Sequence, residues 1–337
     1  LESGLLKIIG KKEIDDDYIA DVKTLSVQPE LMKTAGKELK IVYTPLHGSG
    51  NIPVRRIFKE IGMENVYVVP EQELPDGNFP TAPFPNPEIR QAFECALNTA
   101  HSLPAPADLL LATDPDCDRV GIAVYDGTDY TLMSGNEVGC LLLDYCVACR
   151  KQNGTLPANP VVIKTIVTTN LAKSIAEKYD CELRDLLTGF KYIGGEILEL
   201  EQKGQEHKYI FGFEESCGYL KGTYARDKDA IVATMLVCEM AAYLKKHGIT
   251  VLEALEQMYA DYGYYLAQVK SVELTGADAM EKAANLAPGD FAVVAHGGII
   301  AQFLQHITGT WYKPGYTEVV TLFWKDGTFD TKESVSP

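Results

Sequence analysis

Three aspartates spaced two residues apart form the strongest chemical signal in this chain of 337 residues. Asp114, Asp116 and Asp118 follow an apolar run at 109–112 that predicts a buried strand. In open α/β sheets, ligands bind at the carboxyl ends of strands. Carboxylates at positions i, i+2 and i+4 of an extended loop can converge, and each pair then repels by about 4 kcal/mol at ~4 Å and an effective dielectric of ~20. A divalent cation relieves that repulsion. We therefore expect a metal site, with Arg119 beside it able to reach a phosphate.

Three other interpretations of the loop with the three aspartates compete with a metal site. An EF-hand needs Gly at its sixth position and Glu at its twelfth, where this chain has Arg119 and Tyr125. A dehalogenase-type phosphatase would use Asp114 as nucleophile, but it normally carries Thr or Val at the position of Asp118. A solvated acidic turn needs no triple carboxylate directly after an apolar strand. The EF-hand is excluded, and the phosphatase and the turn stay as alternatives.

The charge composition of the chain limits the classes of ligand that it is expected to bind. With 31 basic and 47 acidic residues, the chain has a formal net charge of −16. Such a surface disfavours nucleic acid and anionic membranes. An anionic substrate would need a local positive site or a metal ion.

The eight cysteines predict free thiols in a reducing compartment, and hence a cytoplasmic protein. Cys146 and Cys149 form a CxxC pair within an apolar helical pattern. We expect it to serve helix packing rather than metal or redox chemistry, because no second pair completes a zinc site. We find no apolar run of the ~18 residues that a membrane span requires and no signal peptide.

Strands and helices alternate along the chain, which predicts an α/β fold. The predicted strands are 39–43, 65–69, 108–112, 120–124, 161–167, 181–187 and 208–212. The predicted helices are 52–62, 87–100, 135–151, 169–179, 192–202 and 228–247. This order predicts consecutive three-layer α/β/α domains with mixed sheets, followed by a small α+β C-terminal segment.

Three loops, in order and spacing, resemble those of the α-D-phosphohexomutases, in the branch of phosphoglucomutases and phosphopentomutases. Asp-Pro-Asp-Cys-Asp-Arg at 114–119 resembles the metal loop. Tyr-Thr-Pro-Leu-His-Gly-Ser-Gly at 43–50 resembles the opening loop of the second domain. Gly-Phe-Glu-Glu-Ser-Cys-Gly-Tyr at 212–219 resembles the sugar-recognition loop of the third domain. The likeness runs from about residue 5 to 285.

The resemblance implies a division into four parts. Residues 1–37 would be the tail of a truncated first domain. Residues 38–155 would form the metal-binding domain and 156–266 the sugar-recognition domain. Residues 267–337 would form a small C-terminal segment that is atypical for the family.

The resemblance also implies roles for single residues. The triad would hold one Mg²⁺, and Glu214 and Ser216 would grip two sugar hydroxyls. Lys164 and Arg119 would support the transferred phosphoryl group. Further residues at matching positions would line the substrate cleft: His47, Thr188, Gly189, Lys191, Arg226 and Lys228. Several of these residues have simpler alternatives. Glu214 and Ser216 could belong to a helix cap or a charged loop, and Lys164 could be an ordinary strand lysine. Arg226 and Lys228 could lie in a solvated helix start, and His47 could order its own loop.

The implied reaction interconverts hexose 1-phosphate and hexose 6-phosphate, with glucose favoured as the sugar, through a phosphoserine and a hexose 1,6-bisphosphate primer. The family's phosphoserine lies in a Ser-His loop, and its fourth domain carries an Arg-x-Ser-Gly-Thr loop; neither occurs in this sequence. No catalytic nucleophile is therefore identified. We expect the chain by itself to be inactive or nearly so.

Two further functions remain open. The chain could be a non-catalytic protein that binds sugar phosphate and metal. It could also be a phosphatase, either of the dehalogenase type or through His296, because 291–298 resembles the late histidine motif of histidine phosphatases. That second chemistry needs an early Arg-His pair, which does not occur in this sequence. The sequence leaves the identity of the sugar and the oligomeric state undetermined.

Overall fold

The computed structural model describes residue 9, residues 14–267 and the strand backbone of 322–325 and 328–331. Two compact units divide the chain, residues 1–267 and 268–337. The described part of the second unit is an antiparallel pair, β10 (Leu322–Lys325) and β11 (Thr328–Thr331). The motif around His296 lies outside the described residues.

The first unit contains a five-stranded mixed sheet in the order β2-β1-β3-β4-β5. Its strands are β1 (Lys40–Thr44), β2 (Asn65–Val68), β3 (Leu109–Thr113), β4 (Val120–Tyr125) and β5 (Tyr130–Leu132). The first three run parallel, and β4 and β5 continue antiparallel. Because β1 and β3 are parallel neighbours, the loops that follow them leave the same edge of the sheet.

A second sheet of four strands has the order β7-β6-β8-β9. Its strands are β6 (Val161–Thr165), β7 (Glu182–Leu186), β8 (Tyr209–Glu214) and β9 (Gly218–Leu220). Strands β7, β6 and β8 are parallel, and β9 returns antiparallel to β8. The segments that follow β6, β7 and β8 therefore share one edge of this sheet as well.

Helices cover the sheets. They are α1 (Asp15–Thr24), α2 (Pro29–Met32), α3 (Asn51–Glu60), α4 (Glu94–Ser102), α5 (Gly135–Gln152), α6 (Leu171–Lys178), α7 (Phe190–Gln202), α8 (Ala230–Lys246) and α9 (Val251–Tyr262). Alternate residues of β3 enter different cores, Leu109 and Leu111 on one face and Leu110 on the other. Both faces of the sheet are thus buried under helices, and the predicted α/β class with mixed sheets is confirmed.

The two sheets share one apolar core. Ile41 of β1, Phe211 of β8 and Leu236 of α8 belong to the same buried cluster. Helix α8 is buried along most of its length and packs against α3, α5 and β9. Because the sheets share this core, the loops at the edge of one sheet are held at fixed positions relative to the loops of the other sheet.

Candidate functional site

The three aspartates lie at the position predicted from the sequence, directly after β3. In the segment 113–119, which we call the triad loop, one oxygen from each carboxylate lies within 4.8 Å of the other two. Asp114 is buried with 1% of its surface exposed, Asp118 is half-buried and Asp116 is exposed. The triad therefore combines a buried inner carboxylate with an outer face that solvent reaches.

Hydrogen bonds to Asp114 hold the triad loop in shape. Its Oδ1 accepts from the backbone N–H groups of Asp118 at 3.1 Å and Arg119 at 2.9 Å. Its Oδ2 accepts from Arg119 Nε at 2.7 Å. The turn passes through Cys117, a non-glycine residue in the left-handed region with φ 61°. Such a conformation persists only where the surroundings enforce it, and Asp114 supplies that enforcement.

The charges at the site do not balance. Burial raises the pKa of Asp114 to about 6, although the hydrogen bonds from Arg119 oppose the rise. Lys228 Nζ lies 2.6 Å from Asp118 Oδ2. Burial opposes the charge on Lys228, but the hydrogen bonds and negative charges of Asp118 and Asp227 together outweigh it, and the pKa of this lysine is raised. Three carboxylates face two cations, and their oxygen donors suit Mg²⁺ or another hard cation.

The loop after β1 lies against the triad loop. Ser49 N–H donates to Pro115 O at 2.8 Å, and the Ser49 hydroxyl donates to the same oxygen. A Cβ at Gly48 would lie 2.5 Å from Pro115 Cα, so only glycine permits this approach. His47 makes contacts away from the triad: Nδ1 lies 3.1 Å from Leu74 O and Nε2 2.9 Å from Thr81 Oγ1. Both ring nitrogens are thus engaged, which favours the loop-ordering role for His47.

Glu214 ends β8 and holds a neighbouring loop. Its Oε1 accepts from Gly189 N–H at 2.9 Å, so the two segments predicted to contact sugar lie side by side. Gly189 has φ 111°, which suits glycine. Burial raises the pKa of Glu214, and Gly189 N–H and Lys228 oppose the rise. Ser216, two residues on, is half-buried on the same segment. We call 214–218 the Glu214 loop.

Lys164 and Arg226 contact residues outside the triad loop and the Glu214 loop. Lys164 is fully buried in β6, where Nζ donates to Asp185 Oδ2 at 2.9 Å and to the carbonyl oxygens of Thr165 and Thr168. Arg226 pairs with Glu201 and donates to Thr223 O. Thr188 is half-buried, and Lys191 lies over the ring of Tyr192 with Nζ 5.1 Å from its centroid. Phe190, the first residue of α7, is buried in the core of the four-stranded sheet.

Backbone contacts join the triad loop to the Glu214 loop. Arg119 and Gly218 form an antiparallel β-bridge. Val120 N–H donates to Cys217 O at 3.1 Å, and Ala230 N–H donates to Cys117 O at 3.2 Å. The predicted metal site and the predicted sugar site are therefore one continuous structure.

Sequence reasoning missed several residues of this site. Glu215 Oε2 accepts from Thr168 Oγ1 at 3.0 Å and from Thr165 Oγ1 at 3.3 Å. Glu88 accepts from Arg119 at 3.1 Å. Glu215 could have been found from its position beside Glu214. Glu88 lies in a Pro-rich segment with no local signal for such a contact.

Within the described residues, no helix is long and apolar enough to cross a membrane. All eight cysteines are free thiols, and Cys146 and Cys149 are buried on α5.

Two family models match the chain. The model for the phosphoglucomutase/phosphomannomutase α/β/α domain II matches residues 16–127. The model for α/β/α domain III of the same family matches residues 134–262. The triad loop falls in the first match and the Glu214 loop in the second.

Curated relatives agree with the family models. The phosphoglucomutase of Staphylococcus saprophyticus is 36% identical over 267 residues, which cover 79% of this chain and 46% of the relative. The phosphoglucomutase of Staphylococcus haemolyticus is 33% identical over 273 residues, 81% of this chain and 47% of the relative. The chain thus spans about half the length of the curated relatives that it matches.

Solved structures share the fold. The open form of the Paramecium phosphoglucomutase pp63/parafusin superposes with a TM-score of 0.57 at 17% identity, over 94% of this chain and 51% of that one. The putative phosphomannomutase of Thermus thermophilus has a TM-score of 0.54 at 22% identity, over 72% of this chain and 51% of that one. From the two family models, the curated relatives and the fold, this chain belongs to the phosphoglucomutase/phosphomannomutase family, the α-D-phosphohexomutases.

Proposed function

We propose that this chain supplies the metal-binding and sugar-recognition parts of a phosphohexomutase that interconverts hexose 1-phosphate and hexose 6-phosphate, with glucose as the favoured sugar. The observation that carries the proposal is the β-bridge between Arg119 of the triad loop and Gly218 of the Glu214 loop. It joins a cluster of hard oxygen donors to a segment rich in hydroxyl-binding groups. A sugar phosphate needs both kinds of contact at once.

In this proposal Asp114, Asp116 and Asp118 hold one Mg²⁺, which would neutralise the negative charge of a transferring phosphoryl group. The donor set fits, because all the ligands are carboxylate oxygens and one of them is already fixed by Arg119. Glu214 uses Oε1 for Gly189 and keeps Oε2 for a sugar hydroxyl. Ser216 is placed to donate to a second hydroxyl.

We also propose that the chain divides into four parts, residues 1–37, 38–155, 156–266 and 267–337. The proposed reaction uses a hexose 1,6-bisphosphate as its primer. The printed sequence offers no Ser-His loop, so the phosphoryl-carrying serine would have to come from outside these 337 residues. The free thiols suit a reducing compartment, and we propose the cytoplasm.

The test is a binding and turnover comparison on the 337-residue chain. We expect titration calorimetry to show binding of Mg²⁺ and of glucose 1-phosphate. A coupled assay for glucose 6-phosphate, primed with glucose 1,6-bisphosphate, should show no turnover or a trace. Asp116→Asn should weaken Mg²⁺ binding, and Asp21→Asn, at an exposed residue of helix α1, is the control. A chain that binds neither ligand would refute the proposal.

The dehalogenase-type phosphatase is tested in the same preparation. That activity would release phosphate from p-nitrophenyl phosphate and disappear in Asp114→Asn. We expect no release from the wild-type chain, because both oxygens of Asp114 accept hydrogen bonds within its own loop.

A further inference from the structure

Lys228 and Asp118 form an ion pair that joins the two halves of the site. Lys228 Nζ lies 2.6 Å from Asp118 Oδ2, and the two side chains are 18% and 25% exposed. Asp118 follows a strand of the five-stranded sheet, whereas Lys228 immediately precedes Asp229, the N-cap of α8. The pair therefore brings the positive charge of Lys228, from the segment before α8, against Asp118, a proposed metal ligand in the triad loop.

The lysine side chain also lies against the Glu214 loop. A Cβ at Gly218 would lie 2.5 Å from Lys228 Cδ, so the aliphatic stem runs over the backbone of that loop. Lys228 also lowers the pKa of Glu214 through its charge, although burial leaves that pKa raised. The same ammonium group thus acts on a triad carboxylate and on the predicted sugar-binding carboxylate.

This ammonium group competes with a metal ion for the same oxygen. Asp118 Oδ2 cannot serve both fully, since a divalent cation at the triad and an ammonium group in hydrogen-bonding contact with its ligand repel each other. Asp118 Oδ1 is 3.6 Å from Arg119 Nε, so Lys228 makes the shorter of the two contacts. Lys228 Nζ also lies 3.2 Å from Asp227 Oδ1, a second carboxylate to which it can turn when it leaves Asp118.

We propose that Lys228 is an exchangeable counter-ion of the triad, which leaves Asp118 when a divalent cation binds and becomes available to the phosphate of a sugar phosphate at the Glu214 loop. The inference rests on the proposed metal and sugar-phosphate function. It deepens that function by making the binding of cation and anion mutually favourable. Lysine binds phosphate as a point charge and needs no particular orientation, so a small movement of its flexible stem is enough.

The first test is Mg²⁺ titration calorimetry on the wild type and on Lys228→Met, which keeps the stem and removes the charge. We expect the variant to bind Mg²⁺ about tenfold more tightly, since a half-buried ion pair no longer has to be broken. Lys173→Met makes the same charge change on the exposed face of α6 and should leave the affinity unchanged. Lys228→Gln is a second variant, in case the first folds poorly by circular dichroism.

A double-mutant cycle separates displacement from a general charge effect. If Lys228 acts through Asp118, Lys228→Met should change Mg²⁺ affinity less than twofold in an Asp118→Asn background. A general field effect on the other two carboxylates would keep the tenfold gain in that background and overturn the proposal.

The second test measures coupling between the two ligands. We expect saturating Mg²⁺ to raise the affinity of the wild-type chain for glucose 1-phosphate by at least fivefold, and that of Lys228→Met by less than twofold. Equal gains in both proteins would refute the counter-ion exchange and leave the proposed function standing. If the wild-type chain binds no Mg²⁺ at all, the proposed metal site fails, and this inference fails with it.

Discussion

At the scale of single residues, cation binding at the proposed metal site depends on whether Asp114 is protonated. This carboxyl is the most buried of the three, and its pKa rises to about 6 because burial outweighs the hydrogen bonds from Arg119. Metal ligands bind in their deprotonated form. We therefore expect protons and Mg²⁺ to compete for the proposed site just below neutral pH.

The first prediction is a pH dependence of Mg²⁺ binding. Below pH 6 the affinity should fall about tenfold per unit, and above pH 7 it should level off. The direction of the pH effect on stability follows from linkage, because the pKa of Asp114 in the folded protein lies above its ordinary value of 3.8. The ion-free protein is thus stabilised by this group at low pH and loses that stabilisation as the pH rises through 6. Mg²⁺ should consequently raise the melting temperature more at pH 7.5 than at pH 5.

Calorimetry at pH 5, 6, 7 and 8 measures the first part of this prediction and thermal denaturation the second. Asp114→Asn, which does not titrate, should bind Mg²⁺ weakly and with a much flatter pH profile. Equal wild-type affinities at pH 5 and pH 7.5 would contradict the assignment of Asp114 as a ligand.

The second prediction concerns Glu214, whose Oε1 orders Gly189 and whose Oε2 we assign to a sugar hydroxyl. Glu214→Gln keeps an oxygen acceptor for Gly189 N–H but replaces the charged oxygen by an amide donor. We expect the Kd for glucose 1-phosphate to rise about tenfold, as for the loss of a charge-assisted hydrogen bond. The Kd for Mg²⁺ should change less than twofold. Glu199→Gln on the exposed face of α7 is the control.

At the scale of elements, close backbone approaches hold the loops of the site against helices. Gly135 opens α5 directly below the Glu214 loop, and a Cβ there would lie 2.1 Å from Glu215 O. The obstacle is backbone, which cannot rotate away. In contrast, a Cβ at Gly195 within α7 would meet no atom within 4 Å.

The third prediction uses these two glycines as a matched pair. Gly135→Ala should destabilise the protein by at least about 2 kcal/mol, because the Glu214 loop must move. Gly195→Ala should stabilise it by roughly 0.5–1 kcal/mol through helix propensity. Urea denaturation followed by circular dichroism gives both values. Similar effects of the two substitutions would show that the loop does not lie where the structure places it.

At the scale of the whole molecule, a buried carboxylate joins distant segments of the chain. Glu239 lies in the middle of α8 and is fully buried. Its Oε1 accepts from Val27 N–H at 2.9 Å and from the Tyr145 hydroxyl at 3.0 Å, and its Oε2 accepts from the Ser26 hydroxyl. The segment after α1, helix α5 and helix α8 are thus held together by one side chain.

The fourth prediction follows from this contact. Glu239→Ala leaves the buried Tyr145 hydroxyl and the half-buried donors of Ser26 and Val27 without an acceptor, and should destabilise the protein by about 3–5 kcal/mol. Glu256→Ala, at an exposed residue of helix α9, is the surface control and should cost less than about 0.5 kcal/mol. Denaturant titration measures both. A loss below 1 kcal/mol in Glu239→Ala would mean that residues 25–27 are not anchored there.

Much of the fold could be predicted because its signals are local. Apolar runs bounded by turns predicted β1, β3, β4 and β6 within one residue at each end, except for an error of two residues at the carboxyl end of β6. Helix α9 was not among the predicted helices, although Thr250 and Glu253 form a capping box. Strands β5 and β9 have three residues each and exist because β4 and β8 pair with them. Such short strands carry no period of their own.

The sequence by itself determined the family, the α/β class and the triad after β3, because each depends on residues close together in the chain. Only the tertiary structure decided that Lys228 meets Asp118, that Gly189 donates to Glu214, and that Glu239 holds residues 26 and 27. These partners are separated by 25 to more than 200 residues. Their contact depends on how two sheets pack about α5 and α8, and no local pattern of residue types encodes that packing.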